Sequence, residues 1–89
     1  MPVLSMFYGI IIYMYFQDNE KHHIPHIHAR YQNKEAVFSI LDGSLIDGEI
    51  PYKKINLVKA WITIHEEELM ANWDLAVEGN PIYKIDPLK

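Results

Sequence analysis

The stretch HIHARYQNKEAVFSI, residues 26–40, contains two runs of strand-forming residues separated by the polar pair Gln32-Asn33. Residues two apart on a strand point to the same face of a sheet. We therefore predict a β-hairpin with one strand from His26 to Tyr31 and the next from Lys34 to Ile40. Gln32-Asn33 would form the two-residue turn, in which Asn33 is able to take a positive φ.

This hairpin also predicts which side chains face each other across the two strands. One face is mostly polar and ends in a charge pair, and the other is apolar and is expected to be covered by a helix. The polar face pairs Arg30 with Glu35, His28 with Val37 and His26 with Ser39; the apolar face pairs Ile27 with Phe38 and Ala29 with Ala36.

The other strands are predicted from β-branched and aromatic runs that end at turn residues. The run from Ile10 to Phe16 is apolar on both faces, which is typical of a covered central strand. The predicted strands besides the hairpin are Val3 to Phe7, Ile10 to Phe16 after a turn at Gly9, and a short one from Ser44 to Ile46 between the turn signals Asp42-Gly43 and Asp47-Gly48.

After Pro51 the apolar residues recur every three or four positions, which predicts a helix that Gly79 terminates. We expect one long or kinked C-terminal helix, with the kink or break near Glu66-Glu67-Glu68, followed by an extended tail from Ile82 to Lys89 against the sheet. The sequence thus predicts an α+β fold, a small antiparallel sheet packed against that helix, as a single domain of residues 1–89.

Composition excludes several classes of function. The 89-residue chain has no cysteine, so disulfides, thiolate zinc sites and a cysteine nucleophile are excluded, and a reducing cytoplasm is the expected compartment. The formal net charge of −4 argues against nucleic-acid binding as a default, although a local basic patch stays open. The apolar run Val3 to Phe16 is too short for a membrane helix and has no signal-peptide features.

Four of the five histidines lie in HHIPHIHAR, residues 22–30, and this cluster has three interpretations. The polar strand face is a solvated outer surface, or it is a reactive or anion-binding surface with an imidazole as acid or base and Arg30 holding an anion. It is otherwise a metal site, because His-x-His projects two imidazoles to one side. The further ligands for a metal would come from the preceding loop, from Asp18, Glu20, His22 or His23.

The remaining polar and aromatic candidates are expected to have mainly structural roles. His65 lies in the apolar stripe of the helix and is interpreted as a hydrogen-bonded core histidine. Glu66-Glu67-Glu68 is interpreted as a solvated face. Trp61 and Trp73 are expected to be core anchors, and Tyr13 and Tyr15 to neighbour the histidine face.

Four segments of the chain resemble the bacterial domain-of-unknown-function family 4160: PVLSMFYGIIIYMYFQD, HIPHIHARY, EAVFSI and LVKAWITIHEEELMANWDLAVEGNPIYKIDPL. The resemblance is most specific in the Pro-His-x-His step followed by Glu-Ala-x-Phe. Members of that family are often encoded beside a second small protein, and some are described as DhiT, the toxin component of a type II toxin–antitoxin pair. The resemblance implies a small cytoplasmic toxin-like protein with a cognate partner, and its motif maps onto Pro25, His26 and His28.

These observations lead to one main hypothesis and two alternatives. In the main hypothesis His26 and His28 are acid/base groups of a toxin-like protein, and Arg30 holds an anionic substrate. The alternatives are a non-catalytic module that binds the product of a neighbouring gene, and a histidine-based metal-binding protein. The sequence identifies no cofactor, leaves open whether the chain is an enzyme, and is compatible with a homo-oligomer.

Overall fold

The computed structural model describes residues 3–14 and 24–88 of the chain. These residues form an α+β fold in which an antiparallel sheet of five strands, in the spatial order β1-β2-β3-β4-β5, precedes two helices. The strands are β1 (Val3–Phe7), β2 (Ile10–Tyr13), β3 (His26–Tyr31), β4 (Lys34–Ser39) and β5 (Leu45–Gly48), and the helices are α1 (Tyr52–Ile64) and α2 (Glu66–Val77).

The predicted hairpin is confirmed in its register, and its strands match the prediction except that β4 ends at Ser39 instead of Ile40. All five predicted cross-strand pairs are present between β3 and β4, from His26 opposite Ser39 to Arg30 opposite Glu35. In the turn, Gln32 has the positive φ, at 57°, and Asn33 does not. The alternation of apolar and polar side chains determined the register, but it did not determine the backbone conformation of the two turn residues.

Strands β1, β2 and β5 differ from the prediction mainly at their ends. β1 is as predicted, whereas β2 ends at Tyr13, and Tyr15 and Phe16 lie outside the described residues. β5 is shifted toward the C-terminus, because Gly48 pairs with β4 instead of forming the turn. A Cβ on Gly48 would lie 2.2 Å from the carbonyl oxygen of Glu35, so only glycine allows this approach of the two strands.

The prediction of one long or kinked helix was wrong, because α1 ends at Ile64 and a separate helix begins at Glu66. His65 leaves the helical conformation, with φ −111° and ψ 22°. Glu66, Glu67 and Glu68 occupy the first turn of α2, where carboxylates are favoured by the positive end of the helix dipole.

Most of the core lies between the helices and one face of the sheet. That face contributes Ile27, Ala29 and Phe38, all fully buried, and α1 contributes Trp61, whose ring centroid lies 5.4 Å from that of Phe7. Burying an aliphatic or aromatic side chain of this size stabilises a fold by roughly 1.5–3 kcal/mol. The expected apolar face and the expected role of Trp61 as a core anchor are confirmed.

The C-terminal tail crosses the helices and reaches the sheet, as predicted. The Ile85 N–H donates to the Leu4 carbonyl at 2.9 Å, and the Trp61 indole N–H donates to the Asp86 carbonyl at 2.8 Å. Neither helix in this part of the chain has the length and the apolar character needed to cross a bilayer.

Candidate functional site

The polar face of β3 and β4 is covered at one end and open at the other. His26 and His28 are 0% and 3% exposed, and Ser39 on β4 is also buried, whereas Arg30 and Glu35 are exposed. The interpretation as a solvated surface is therefore wrong for the two histidines and correct for the Arg30–Glu35 end. A buried imidazole beside an exposed guanidinium is unusual for a plain outer sheet face.

His26 is held in place by the chain around it and by α2. Its Nδ1 lies 2.8 Å from the carbonyl oxygen of Ile24, and because a carbonyl only accepts hydrogen bonds, Nδ1 carries the proton in this contact. Its ring centroid lies 5.1 Å from that of Trp73 and 5.2 Å from that of His28, which it meets edge-on. Trp73, which is 8% exposed, is a core anchor as predicted, and it also fixes this imidazole.

His28 lies between the buried and the open parts of the face. Its Nδ1 is 3.5 Å from a carboxylate oxygen of Glu35, whose side chain is 48% exposed. This separation is longer than an ordinary charge-assisted hydrogen bond. Tyr13 of β2 is directly opposite His28 and half-buried, so its predicted position beside the histidines is confirmed. Tyr15 lies outside the described residues.

Arg30 is the cation at the open end of this face. Its Nε donates to the Gln32 carbonyl at 3.4 Å, while the side chain stays exposed. The predicted register opposite Glu35 is confirmed, but the contact made by the Glu35 carboxylate is with His28. An exposed guanidinium presents several donors in one plane, the arrangement that suits carboxylates and phosphates.

A metal site is not assembled by the residues whose structure is described. Among residues 3–14 and 24–88, no three histidine, aspartate or glutamate side chains come together in a way that could hold a metal ion. The proposed additional ligands Asp18, Glu20, His22 and His23 lie outside these ranges. Metal binding by the histidine strand therefore stays a prediction, which metal analysis of protein purified without a polyhistidine tag would test.

His65 has a structural role at the junction of the two helices. Its Nδ1 lies 2.7 Å from a carboxylate oxygen of Glu68, and its ring centroid is 5.5 Å from that of Trp61. The hydrogen bond expected for His65 is present, but the side chain is 14% exposed and lies outside the buried core, so the expectation of a core histidine is confirmed only in part. The exposure of Glu66-Glu67-Glu68 is confirmed as well.

Sequence reasoning missed Asn72, a buried polar residue of α2. Its side-chain amide donates to the Tyr83 carbonyl at 2.8 Å and accepts from the Tyr83 N–H at 2.9 Å. The signal was present, because an asparagine in the apolar stripe of a helix needs a hydrogen-bond partner.

The chain belongs to a family described as a domain of unknown function (DUF4160), whose family model matches residues 9–74. The match spans β2 to β4, with the histidine strand, and continues into α2. Neither the curated proteins nor the solved structures gave a significant match to the chain.

Proposed function

We propose that this protein is the toxin-like component of a bacterial type II toxin–antitoxin module, a cytoplasmic protein that binds a cognate small protein encoded nearby. The sequence resemblance suggests the module. The observation that supports a chemical activity is the arrangement of His28, which is buried, 3.5 Å from the Glu35 carboxylate and on the same strand face as the exposed Arg30.

The three groups provide the parts of an acid/base site for an anionic substrate. Arg30, at the open end, would hold a phosphate or carboxylate group of the substrate. His28 would transfer a proton, and Glu35 would stabilise its imidazolium form, as a carboxylate does beside a catalytic histidine. His26, whose Nδ1 lies 2.8 Å from the Ile24 carbonyl oxygen, would be the second acid/base group of this strand face.

The proposal is tested by expressing the chain from an inducible promoter and measuring growth. His28→Gln keeps a hydrogen-bonding side chain but removes the titratable ring, and general acid/base catalysis is worth about 10²–10⁴-fold in rate. We expect this variant, and Arg30→Gln, to abolish growth arrest while the far-UV circular dichroism spectrum and the melting temperature stay close to wild type. Asn33→Ala, in the exposed turn of the same hairpin, is the matched control and should remain toxic. Growth arrest by a folded His26→Gln/His28→Gln double variant would contradict the proposal.

A second candidate, a non-catalytic interaction module, is favoured by the exposure of β5. All four residues of this strand are exposed, including Leu45 at 40% and Ile46 at 36%, and β5 is at the margin of the sheet in the described part of the chain. An edge strand can pair with an extended segment of another protein. This candidate predicts that Ile46→Lys weakens copurification with the product of the neighbouring gene, whereas His28→Gln leaves both the complex and the growth phenotype unchanged.

A further inference from the structure

Basic residues of this acidic protein are concentrated at one end of the sheet. The chain carries a formal net charge of −4, yet four of its eight lysine and arginine residues lie at the β3–β4 turn or in the first turn of α1. On the side of the sheet that faces α1, three of these cations accompany three tyrosines. We call this group the tyrosine–lysine end, and it consists of Tyr8, Tyr31, Lys34, Tyr52, Lys53 and Lys54.

Specific contacts hold the tyrosine–lysine end together. The Lys54 ammonium donates to the Tyr8 carbonyl at 2.9 Å and lies 4.9 Å from the centroid of the Tyr31 ring. Lys34 is directly opposite Tyr31 in the hairpin, so both side chains point to the same side of the sheet. Gly9 lets the β1–β2 turn pack against the Tyr31 ring, because a Cβ there would lie 3.2 Å from a ring carbon. The first turn of α1 and two β-turns are thereby joined.

Two features of the tyrosine–lysine end are unfavourable for local structure: one concerns the helix dipole and the other a backbone φ angle. Lys53 and Lys54 lie in the first turn of α1, where the helix dipole disfavours cations and no acidic residue compensates. Tyr8 has a φ of 50°, in the left-handed region that bulky side chains rarely adopt. Such conflicts in an otherwise consistent sequence are expected at functional sites.

The exposed side chains have the chemistry of a single-strand binding surface. Tyr52 is 76% exposed and Tyr8 is 54% exposed. Lys53 and Lys54 directly follow Tyr52 in α1, and the Lys54 ammonium contacts the Tyr8 backbone carbonyl. Aromatic rings stack on unpaired bases, and lysines neutralise the phosphates between those bases. An anionic membrane fits less well, because three lysines without an inserted apolar segment give only weak attachment.

We propose that the tyrosine–lysine end binds single-stranded nucleic acid through base stacking on Tyr8 and Tyr52 and phosphate contacts from Lys34, Lys53 and Lys54. This site goes beyond the function proposed above and uses none of the histidine chemistry. The chain as a whole is acidic, but the six residues of the tyrosine–lysine end include three lysines and no carboxylate, and a local excess of positive charge attracts a polyanion.

The test is fluorescence anisotropy of the full-length chain with labelled oligouridine and oligothymidine of about ten nucleotides, a length that small single-strand binding modules cover. We expect binding at low salt that weakens as salt rises, with a slope of log K against log salt of about −2 for three phosphate contacts. Tyr52→Ala should weaken binding about tenfold through the loss of one stacked base. Lys53→Glu should weaken it and reduce the slope by about 0.7.

Matched controls separate binding from folding. Tyr83→Ala removes a tyrosine of similar exposure, 72%, from the C-terminal tail, and Lys59→Glu makes the same charge change on an exposed part of α1 away from its first turn. Lys53→Glu places an acid in the first turn of the helix, which favours the folded state.

Three results would overturn the proposal. The first is that the wild-type chain does not bind either oligonucleotide at low salt. The second is that Tyr52→Ala and Lys53→Glu lose no more affinity than their controls. The third is that the chain binds phosphatidylserine vesicles but does not bind oligonucleotides. Similar affinity for the RNA and DNA oligomers would indicate recognition by stacking and charge alone, as proposed. A complete restriction to one polymer would contradict that mode of recognition, because recognition of the sugar 2′-hydroxyl would then be required.

Discussion

Asn72 fixes the C-terminal tail to α2 through its two hydrogen bonds with the Tyr83 backbone. The side chain is 3% exposed, so water cannot replace Tyr83 as the partner of its amide. A buried hydrogen bond adds little to the free energy of folding, but loss of one partner leaves the other buried and unsatisfied, which is costly.

We expect Asn72→Ala to lower the free energy of unfolding by about 1–3 kcal/mol, because the N–H and carbonyl of Tyr83 lose their partner. Urea denaturation followed by tryptophan fluorescence measures this loss as a lower midpoint at unchanged slope. Asn80→Ala is the matched control, since Asn80 is exposed and its side chain makes a 3.5 Å contact with Glu78; its effect should stay within about 0.5 kcal/mol. Equal decreases in the urea midpoint of the two variants would mean that the Asn72 hydrogen bonds do not stabilise the tail.

The side chain of Asp42 determines the geometry of the turn before β5. It accepts a hydrogen bond from the Ser44 N–H at 3.0 Å. This backbone hydrogen bond lowers the pKa of the Asp42 carboxyl below its usual value, with the Ser44 hydroxyl as a second cause. A carboxyl with a lowered pKa favours the folded state above its unfolded pKa, and that contribution is lost as the pH falls through the folded value.

At the scale of elements, the division of the C-terminal region into α1 and α2 is the main departure from the expected fold. The apolar stripe continues through His65 with helical spacing, so periodicity alone predicts one helix. The acidic run Glu66-Glu67-Glu68 then reads as a solvated mid-helix face, whereas its position in the first turn of α2 gives it a stabilising role.

Glu67→Lys should lower the free energy of unfolding by about 0.3–1 kcal/mol, because it places a cation at the positive end of the α2 dipole. Glu78→Lys, the same change at the C-terminal end of α2, should be neutral or slightly stabilising. Thermal unfolding followed by circular dichroism in low and high salt measures both effects, and salt should reduce the loss in Glu67→Lys. If the two variants lost stability to the same degree, the acidic turn would not act through the helix dipole.

At the scale of the whole molecule, the tail connects elements that are far apart in sequence. Ile85 is 5% exposed and donates its N–H to Leu4 of β1, and Asp86 accepts from the indole of Trp61 in α1. The first strand, both helices and the last residues of the chain are therefore held in one packing unit. A domain of this size buries a small share of its surface and is marginally stable, so the packing of the tail matters for the whole fold.

Truncation after Asn80 should remove most of the stability of the fold. It exposes the apolar surface that Ile85 covers, which costs roughly 1.5–3 kcal/mol, and it breaks hydrogen bonds worth about 0.5–1.5 kcal/mol each. A domain with a total stability near 5 kcal/mol would then be marginal. Tryptophan emission should shift to longer wavelength and the urea midpoint should fall sharply.

Tyr83→Ala is the control for the truncation, because it removes a 72% exposed side chain and keeps the hydrogen bonds between the Tyr83 backbone and Asn72. Its urea midpoint should stay close to that of the wild type. A truncated chain with the wild-type midpoint and emission maximum would show that the tail does not stabilise the core.

The amino-acid sequence determined the parts of this protein that depend on local alternation. The period of two in HIHARYQNKEAVFSI was enough to predict strands β3 and β4 and five of the pairs between them, because a slip by one residue would expose Ile27 and Phe38. The same alternation placed His26, His28 and Arg30 on one face. It also identified the apolar face on which Trp61 packs.

The tertiary structure decided which neighbours those side chains contact. Alternation does not reveal that Trp73 of α2 packs against His26, that Glu35 contacts His28 instead of Arg30, or that Lys54 joins Tyr8 and Tyr31. These contacts link residues up to 47 positions apart in sequence. Their formation depends on the break at His65 and on the path of the tail, both of which are set by the packing of the whole chain and not by the period of any one segment.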